Sequence, residues 1–328
     1  MEKVTIVIKS LNEERNIARA IKSAIKALKG FDGEIVLVDS LSTDKTVEIA
    51  KKYPIRIIQL MNKNDRSCGV GPQIGYLNSR GDYLYILDGD MELSDKFLKQ
   101  GVKEIESDKN LAGVAGKVYE MNTKNIIFKK RRERSYYKSN KPKYTSKLMM
   151  GGLYKRNAIE KVGYFANPYL HSYEESDLGH RLTSAGYSLK RIPVDMIRHY
   201  GYTMSSVKIL MKRWKSRYLW GCGELLRYNL GKPTFLKVLS ELKIYIAVIV
   251  WWVFLLLSSV LYKYFHYPLL FQMALTFLFL LLFLIKKRSI VEFGFSIFSW
   301  NITALALICG FLQKRKDINQ KIETIVIK

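Results

Sequence analysis

Cysteine is scarce. Three residues, Cys68, Cys222 and Cys309, lie far apart with no C-x-x-C pair, which excludes a disulfide framework and a cysteine-based zinc centre. Four scattered histidines exclude a His-rich metal site as well. No G-x-G-x-x-G follows the first β-rich run and no Lys-bearing phosphate loop occurs, so neither a dinucleotide Rossmann site nor P-loop chemistry is expected. The amino-terminal MEKVTIVIKSLNEE has no basic region leading into a long apolar stretch, so no signal peptide is expected and the large domain is expected to stay in the cytosol. No internal repeat is visible. Acid is the minority charge: 54 Lys and Arg stand against 29 Asp and Glu, a formal net charge of +25. With 48% hydrophobic and 25% charged residues the chain is no disordered tail. Its 328 residues admit one large domain with an addition, or two ordinary domains.

The mean hydropathy of −0.06 hides an uneven distribution. Up to Ser240 there are 44 Lys and Arg and 25 Asp and Glu; from Glu241 onward there are 10 and 4. Ile244 to Leu261 and Pro268 to Ile285 are each 18 residues without a charge. A bilayer core needs roughly 20 helical residues, so both runs can span it, and with YKYFHY between them they read as a membrane hairpin. Ile290 to Leu312 is a weaker third run, since it contains Glu292 and Asn301. With two spans, the amino-terminal domain, Lys286-Lys287-Arg288 and Lys314-Arg315-Lys316 share one basic face. A third full span would put Lys314 to Lys316 on the other side, so two and three spans both stay open.

The amino-terminal region alternates strands with helices. Val4 to Ile8, Glu34 to Val38, Ile55 to Leu60 and Tyr83 to Leu87 are strand candidates. A helical pattern through Ala18, Ile21, Ala24, Ile25 and Leu28 stops at Gly30, and another begins at Ser42-Thr43-Asp44. This order predicts an α/β fold, a mixed, mostly parallel sheet between helices, with ligands at the carboxyl ends of the strands. Polar residues stand there: Asn12 and Glu13 after the first strand, Asp39 after the second, Asp88 and Asp90 after the fourth. Asp88-Gly89-Asp90 reads either as a polar turn before a helix or as a clamp for Mg2+ or Mn2+, which take oxygen ligands from one or two carboxylates, phosphates and water.

Ser10-Leu11-Asn12-Glu13-Glu14, Val38-Asp39-Ser40-Leu41-Ser42-Thr43-Asp44-Lys45-Thr46, Gly81-Asp82-Tyr83 leading into Asp88-Gly89-Asp90, Met150-Gly151-Gly152-Leu153-Tyr154, and Glu174-Glu175-Ser176-Asp177-Leu178 with Arg181-Leu182 occur in this order. Together they resemble the family 2 inverting glycosyltransferases over roughly residues 3 to 225. The resemblance implies a GT-A-type fold and a nucleotide-diphospho-sugar donor of UDP or GDP type. It implies that Asn12, Glu13 and Asp39 surround the nucleoside, that Asp88 lies near the ribose, and that Asp90 holds a divalent metal, Mn2+ or Mg2+. It also implies that Glu175 is the base, where the family usually has Asp. Gly151, Gly152, Glu174 and Asp177 fall on the acceptor side, Asp177 also as the residue that opens a helix. His199 matches a histidine that some relatives use near the metal, with an ordinary interface histidine as the alternative. The sequence departs from the family pattern at Lys9, where Pro is common, at Ser40, where Asp is common, and at Pro72-Gln73, where Arg-Asn is frequent.

Two basic stretches remain. Lys124 to Lys147 holds ten Lys or Arg and one acid, and Ser205 to Arg217 holds five and none. In the second, Val207, Leu210, Met211, Trp214 and Tyr218 share one helical face, the pattern of a helix lying on anionic lipid. No nucleic-acid-binding module is present, so membrane lipids, not nucleic acid, are the expected partner. The sequence thus predicts a GT-A-type catalytic domain at 1–225, with membrane-interface helices within 205–235, a membrane region at 241–312 and a basic tail at 313–328. The expected enzyme is a membrane-anchored, metal-dependent inverting glycosyltransferase, multi-pass in the cell membrane with its catalytic domain facing the cytoplasm. It would serve cell-envelope polysaccharide or glycan assembly by glycosylating a hydroxyl of a lipid-linked or glycan acceptor. A polyprenyl-phosphate glycosyltransferase and a non-catalytic membrane scaffold are the alternatives.

Overall fold

The computed structural model describes residues 2–133, 140–262, 264 and 266–328. Part of the basic stretch Lys124 to Lys147 and part of YKYFHY therefore lie outside the described residues. The chain divides into two compact units, Met1–Ile209 with Arg315–Lys328, and Leu210–Lys314.

The first unit is built on one ten-stranded sheet. Its centre is β1 (Lys3–Ser10), flanked in parallel by β2 (Asp32–Asp39) and β4 (Tyr83–Asp88), with β3 (Arg56–Leu60) parallel to β2. In β1, Val4, Ile6, Val7 and Ile8 are all fully buried, so both faces of the strand are covered, as expected when helices pack on either side of a parallel sheet. One cover is the helix Ile17–Ala27, which buries Ile17, Ala20, Ile21, Ala24 and Ala27 at helical spacing. Another is Val70–Leu77, where Gly75 lets the helix close on Val7. Beyond β4 the sheet turns mixed. β5 (Met91–Leu93), β6 (Leu111–Glu120), β7 (Lys143–Thr145), β8 (Gly152–Lys155) and β9 (Ser188–His199) continue it, with β8 antiparallel to β4 and to β6, and β6 parallel to β9. The four strands read from the sequence are present with their carboxyl ends along one edge.

The last residues of the chain also join this sheet. β10 (Thr324–Val326) runs antiparallel to β3, pairing Thr324 with Leu60 and Val326 with Ile58. Ile327 N–H donates to Ile57 O at 2.8 Å, and Lys328 Nζ donates to the carbonyls of Lys51 and Tyr53 at 2.7 Å each. The basic tail is thus an edge strand of the amino-terminal sheet.

Among the described residues the second unit holds Gly221–Asn229 and three helices long and apolar enough to cross a membrane, Phe235–Leu261, Tyr267–Lys287 and Ile290–Leu312. The first begins nine residues before its uncharged run, because Lys237, Glu241 and Lys243 continue the same helix. Gly223 and Gly310 bring two helices into backbone contact: a Cβ on Gly223 would lie 2.0 Å from Leu307 O, and one on Gly310 2.0 Å from Trp220 O. Trp252 Nε1 donates to Asn301 Oδ1 at 3.0 Å, which gives the polar residue of the third helix a partner.

Replacing Ile327 by Pro removes the donor to Ile57. The variant should unfold with a loss of about 1 kcal/mol, seen as a lowered Tm in detergent; an unchanged Tm would show that the tail does not hold the edge of β3.

Candidate active site

The strand ends at β1 and β2 are joined by a dense polar network. Asn12, in the left-handed region at φ 57°, donates its N–H to Ser42 Oγ at 2.8 Å and accepts from Thr43 N–H at 2.7 Å. Glu13 donates its N–H to Thr46 Oγ1 at 2.7 Å and accepts from Asn16 Nδ2 at 3.0 Å. Asp39 is fully buried and accepts from Ser10 Oγ, from the N–H and Oγ of Ser42, and from Gln59 Nε2 at 2.8 Å. Four donors on two oxygens satisfy that carboxylate from within the protein. Arg66, which the sequence did not single out, donates to the carbonyls of Ser40 and Leu41 and holds the turn open behind Asp39.

The Asp88–Asp90 turn leaves β4 with Gly89 N–H bonded to Lys9 O at 3.0 Å. Its two carboxylates go separate ways. Asp88 Oδ1 meets Lys9 Nζ at 3.1 Å, while Asp90 Oδ2 meets His199 Nε2 at 3.2 Å. His199 Nδ1 lies 2.6 Å from Glu120 Oε2, and Arg131 Nη1 donates to the other Glu120 oxygen at 3.1 Å. Burial opposes charge on both Asp90 and His199, yet their mutual hydrogen bond prevails: the Asp90 carboxyl is held below its usual range. The imidazole, bonded also to Glu120, is pushed up to about 9. Glu120 was not anticipated. It reaches His199 because β6 and β9 place the two in register, and that pairing is invisible along the sequence.

Among the described residues no three His, Cys, Asp or Glu side chains form a ready metal cage. Asp90 and His199 nevertheless converge, and Glu120 accepts from the far ring nitrogen as an orienting carboxylate does behind a metal-bound imidazole. This donor set fits a divalent ion that takes its remaining ligands from a diphosphate and water.

The helix Glu174–Ser184 supplies the second group of acids. It starts at Glu174, after Tyr173 in the left-handed region, not at Asp177. Asp177 is instead turned inward to Arg181 Nε at 2.8 Å, and Arg181 in turn donates to the carbonyls of Val162, Tyr164 and Phe165. Glu174 Oε1 meets Lys9 Nζ at 3.0 Å. Glu175 accepts backbone N–H groups from Gly151 at 2.9 Å and Met150 at 3.2 Å. Gly151 has φ 85° and approaches β4 so closely that a Cβ would lie 2.6 Å from Ile86 O, so this loop needs glycine to present its amides. Burial, then the neighbouring Glu174, push the Glu175 carboxyl up to about 7, against the pull of Lys9 and the Gly151 amide. A carboxylate tuned to that range suits proton transfer near neutral pH.

The structure therefore brings Asp88, Glu174, Glu175, Gly151 and Lys9 into one neighbourhood and Asp90 with His199 into an adjoining one. Asn12, Glu13 and Asp39 form a third group. Gly152 lies one residue into β8, packed on Leu148, and Asp177 is bound behind the helix.

Comparison with known proteins meets this geometry. Residues 5–163 match Glycosyl transferase family 2. The dolichol-phosphate mannosyltransferase of Pyrococcus furiosus is 27% identical over 114 residues, 34% of this chain and 32% of that protein. The poly(ribitol-phosphate) beta-N-acetylglucosaminyltransferase TarP of Staphylococcus aureus is 31% identical over 104 residues, 30% of this chain and 32% of that protein. These matches span about a third of each relative's length. Among solved structures, the mannosyltransferase PcManGT from Pyrobaculum calidifontis in complex with GDP-Man and Mn2+ aligns over 95% of this chain and 88% of its own, with TM-score 0.61 and 15% identity. S. aureus TarS in complex with UDP-GlcNAc aligns over 74% of this chain and 73% of its own, with TM-score 0.52 and 15% identity. At that identity the two structures establish the GT-A-type fold, and residues 5–163 resemble Glycosyl transferase family 2.

Proposed function

We propose that the enzyme is a membrane-anchored, metal-dependent inverting glycosyltransferase that moves one sugar from a nucleotide-diphospho-sugar to a hydroxyl of a lipid-linked or glycan acceptor. The observation that carries this reading is Glu175. It is fixed by the Met150 and Gly151 amides, lines one cavity with Lys9 and Glu174, and feels the charge of Asp88 at the end of β4. A hydroxyl is a poor nucleophile at neutral pH, so a carboxylate that accepts its proton is worth about 10²–10⁴-fold. In this mechanism the acceptor oxygen attacks the anomeric carbon from the face opposite the diphosphate, and its proton passes to Glu175. The bond to the diphosphate oxygen breaks, the nucleoside diphosphate leaves with the electron pair, and the configuration inverts. Asp90 and His199 are the residues that would hold a divalent ion, and a bound ion offsets charge on the leaving diphosphate. Asn12, Glu13 and Asp39 border the nucleoside in this reading through the loops they brace, with Asp88 nearer the ribose.

The names of two relatives favour a second reading, a polyprenyl-phosphate acceptor: the Pyrococcus mannosyltransferase and the dodecaprenyl-phosphate galacturonate synthase of Rhizobium johnstonii. A phosphate acceptor is already ionised and needs no base. With a hydroxyl acceptor, Glu175 must be ionised to work, so activity should rise with pH through about 7. Glu175→Gln should lose both this acid limb and at least about 100-fold in kcat. A variant of near wild-type rate would establish the phosphate acceptor.

Donor binding gives a separate test. The Pyrobaculum and S. aureus structures hold nucleotides of different base. Isothermal titration with UDP and GDP, with and without Mn2+, should show one nucleotide preferred, and Asp90→Ala should abolish the metal dependence. Equal binding with and without the ion in the wild type would remove the metal from the reading.

The tail bears on topology. β10 belongs to the same sheet as β1 to β4, so the chain that leaves this unit at Leu210 returns to it at Arg315. A chain that starts and finishes on one side of a bilayer crosses it an even number of times. Two of the three apolar helices then cross and one does not, and the catalytic domain and tail share the cytoplasmic face. Membrane-impermeant thiol labelling of single-cysteine variants checks this. Lys29→Cys and Asn319→Cys should react from one side and Tyr264→Cys from the other; reaction of residues 29 and 319 from opposite sides would require an odd number of crossings.

A further inference from the structure

Lys9 stands at the carboxyl end of β1 among acids from three elements. Its ammonium lies 3.1 Å from Asp88 on β4 and 3.0 Å from Glu174 on the acidic helix, and its side chain is 22% exposed. Two of its three N–H bonds are thus directed at carboxylates on different elements, which ties the first turn of the helix to the strand that carries the Asp88–Asp90 turn. The cavity it lines is shared with Pro72, Tyr154, Phe165, Glu174 and Glu175, and Lys9 is the one cation in that lining. The helix bearing Pro72 abuts it closely: a Cβ on Gly71 would lie 3.0 Å from the Cβ of Lys9. Two of the positions at which this sequence departs from the family pattern, 9 and 72, therefore face one space, while Ser40 and Gln73 do not line it.

We propose that Lys9 is a positioning residue of the transfer reaction: it clasps Glu174 to Asp88, thereby setting the helix start that presents Glu175, and it supplies the cavity with the cation that residue 72 does not. The inference rests on the reading of Glu175 as the base. Its logic is electrostatic. Glu175 is faced by Glu174 on its own helix, by Lys9 from β1, by Asp88 and Tyr85 from β4, and by Tyr154 from β8. Arg191 from β9 adds positive charge behind Tyr85 and Tyr154, where it donates to Met149 O, so Lys9 is the cation on the cavity side of Glu175. Its loss would leave Glu174 and Glu175 to repel one another, driving protons onto them and loosening the first turn. The desolvated ammonium is itself held charged, because Asp88, Glu174 and Glu175 outweigh the cost of burial.

The test uses the full-length enzyme in detergent, with Lys9→Met, Lys9→Arg and the double variant Lys9→Met/Pro72→Arg, each checked for Tm. Nucleotide binding, KM for the donor, kcat and its pH profile are measured on every protein. Lys9→Met should keep nucleotide affinity and donor KM within about threefold, lose at least about tenfold in kcat at pH 7, and move the acid limb about one pH unit toward alkaline. Lys9→Arg should restore most of kcat and the limb, and Pro72→Arg should restore part of both from the opposite wall. The inference is overturned if Lys9→Met weakens nucleotide binding and leaves the limb in place, which would make the ammonium a donor-phosphate contact. It is equally overturned if kcat falls only in step with Tm and neither arginine rescues it, which would make Lys9 a structural residue. A wild-type enzyme that binds nucleotide and turns over without any acid limb would overturn the Glu175 reading together with this one.

Discussion

Five carboxylates, those of Asp88, Asp90, Glu120, Glu174 and Glu175, crowd the carboxyl edge of the sheet, and the site exists only because their repulsion is offset locally. Unpaired, such a group would recruit protons rather than remain ionised. The protein solves this with two cations placed between acids. Lys9 bridges Asp88 and Glu174, and His199 bridges Asp90 and Glu120, with Arg131 behind Glu120. The two bridges fix where β1, β4, β6, β9 and the acidic helix stand relative to one another. Their asymmetry also distributes the chemistry. The charge on the histidine side depends on its proton, whereas the lysine ammonium is held charged by the acids around it.

Much of this was legible because local physics decides it. A run such as Val4-Thr5-Ile6-Val7-Ile8 has no polar face, so it must be a doubly covered strand. The acids that follow such strands must then gather at one edge. The helix through Ile21 and Ala24 and its stop at Gly30 follow from period and from a left-handed glycine at φ 92°. Glu175 stands out in its motif, although the motif says nothing about the two amides that hold it.

What stayed hidden depends on pairings distant in sequence. Glu120 ends an ordinary apolar strand and acquires meaning only through its register with His199. Arg66 looks like one more member of a basic chain until its guanidinium is seen on the Ser40 and Leu41 carbonyls. Asp177 reads as a helix opener, but the chain enters the helix three residues sooner through the left-handed Tyr173, so Asp177 falls in the first turn and takes Arg181. Thr324-Ile325-Val326 is too short a run to announce a strand, and its partner β3 offers no local signal that it has an open edge.

That last strand has a consequence for how the molecule is made. Lys328 is bonded to Lys51, 277 positions earlier. Ribosomal synthesis therefore delivers the sheet with β3 bare on one side, and the strand that covers it follows only after all three apolar helices have been produced. An uncovered strand edge invites pairing with other chains. The nascent domain must tolerate that exposure for the whole time the three apolar helices are being made, and sealing the edge becomes a late event of synthesis.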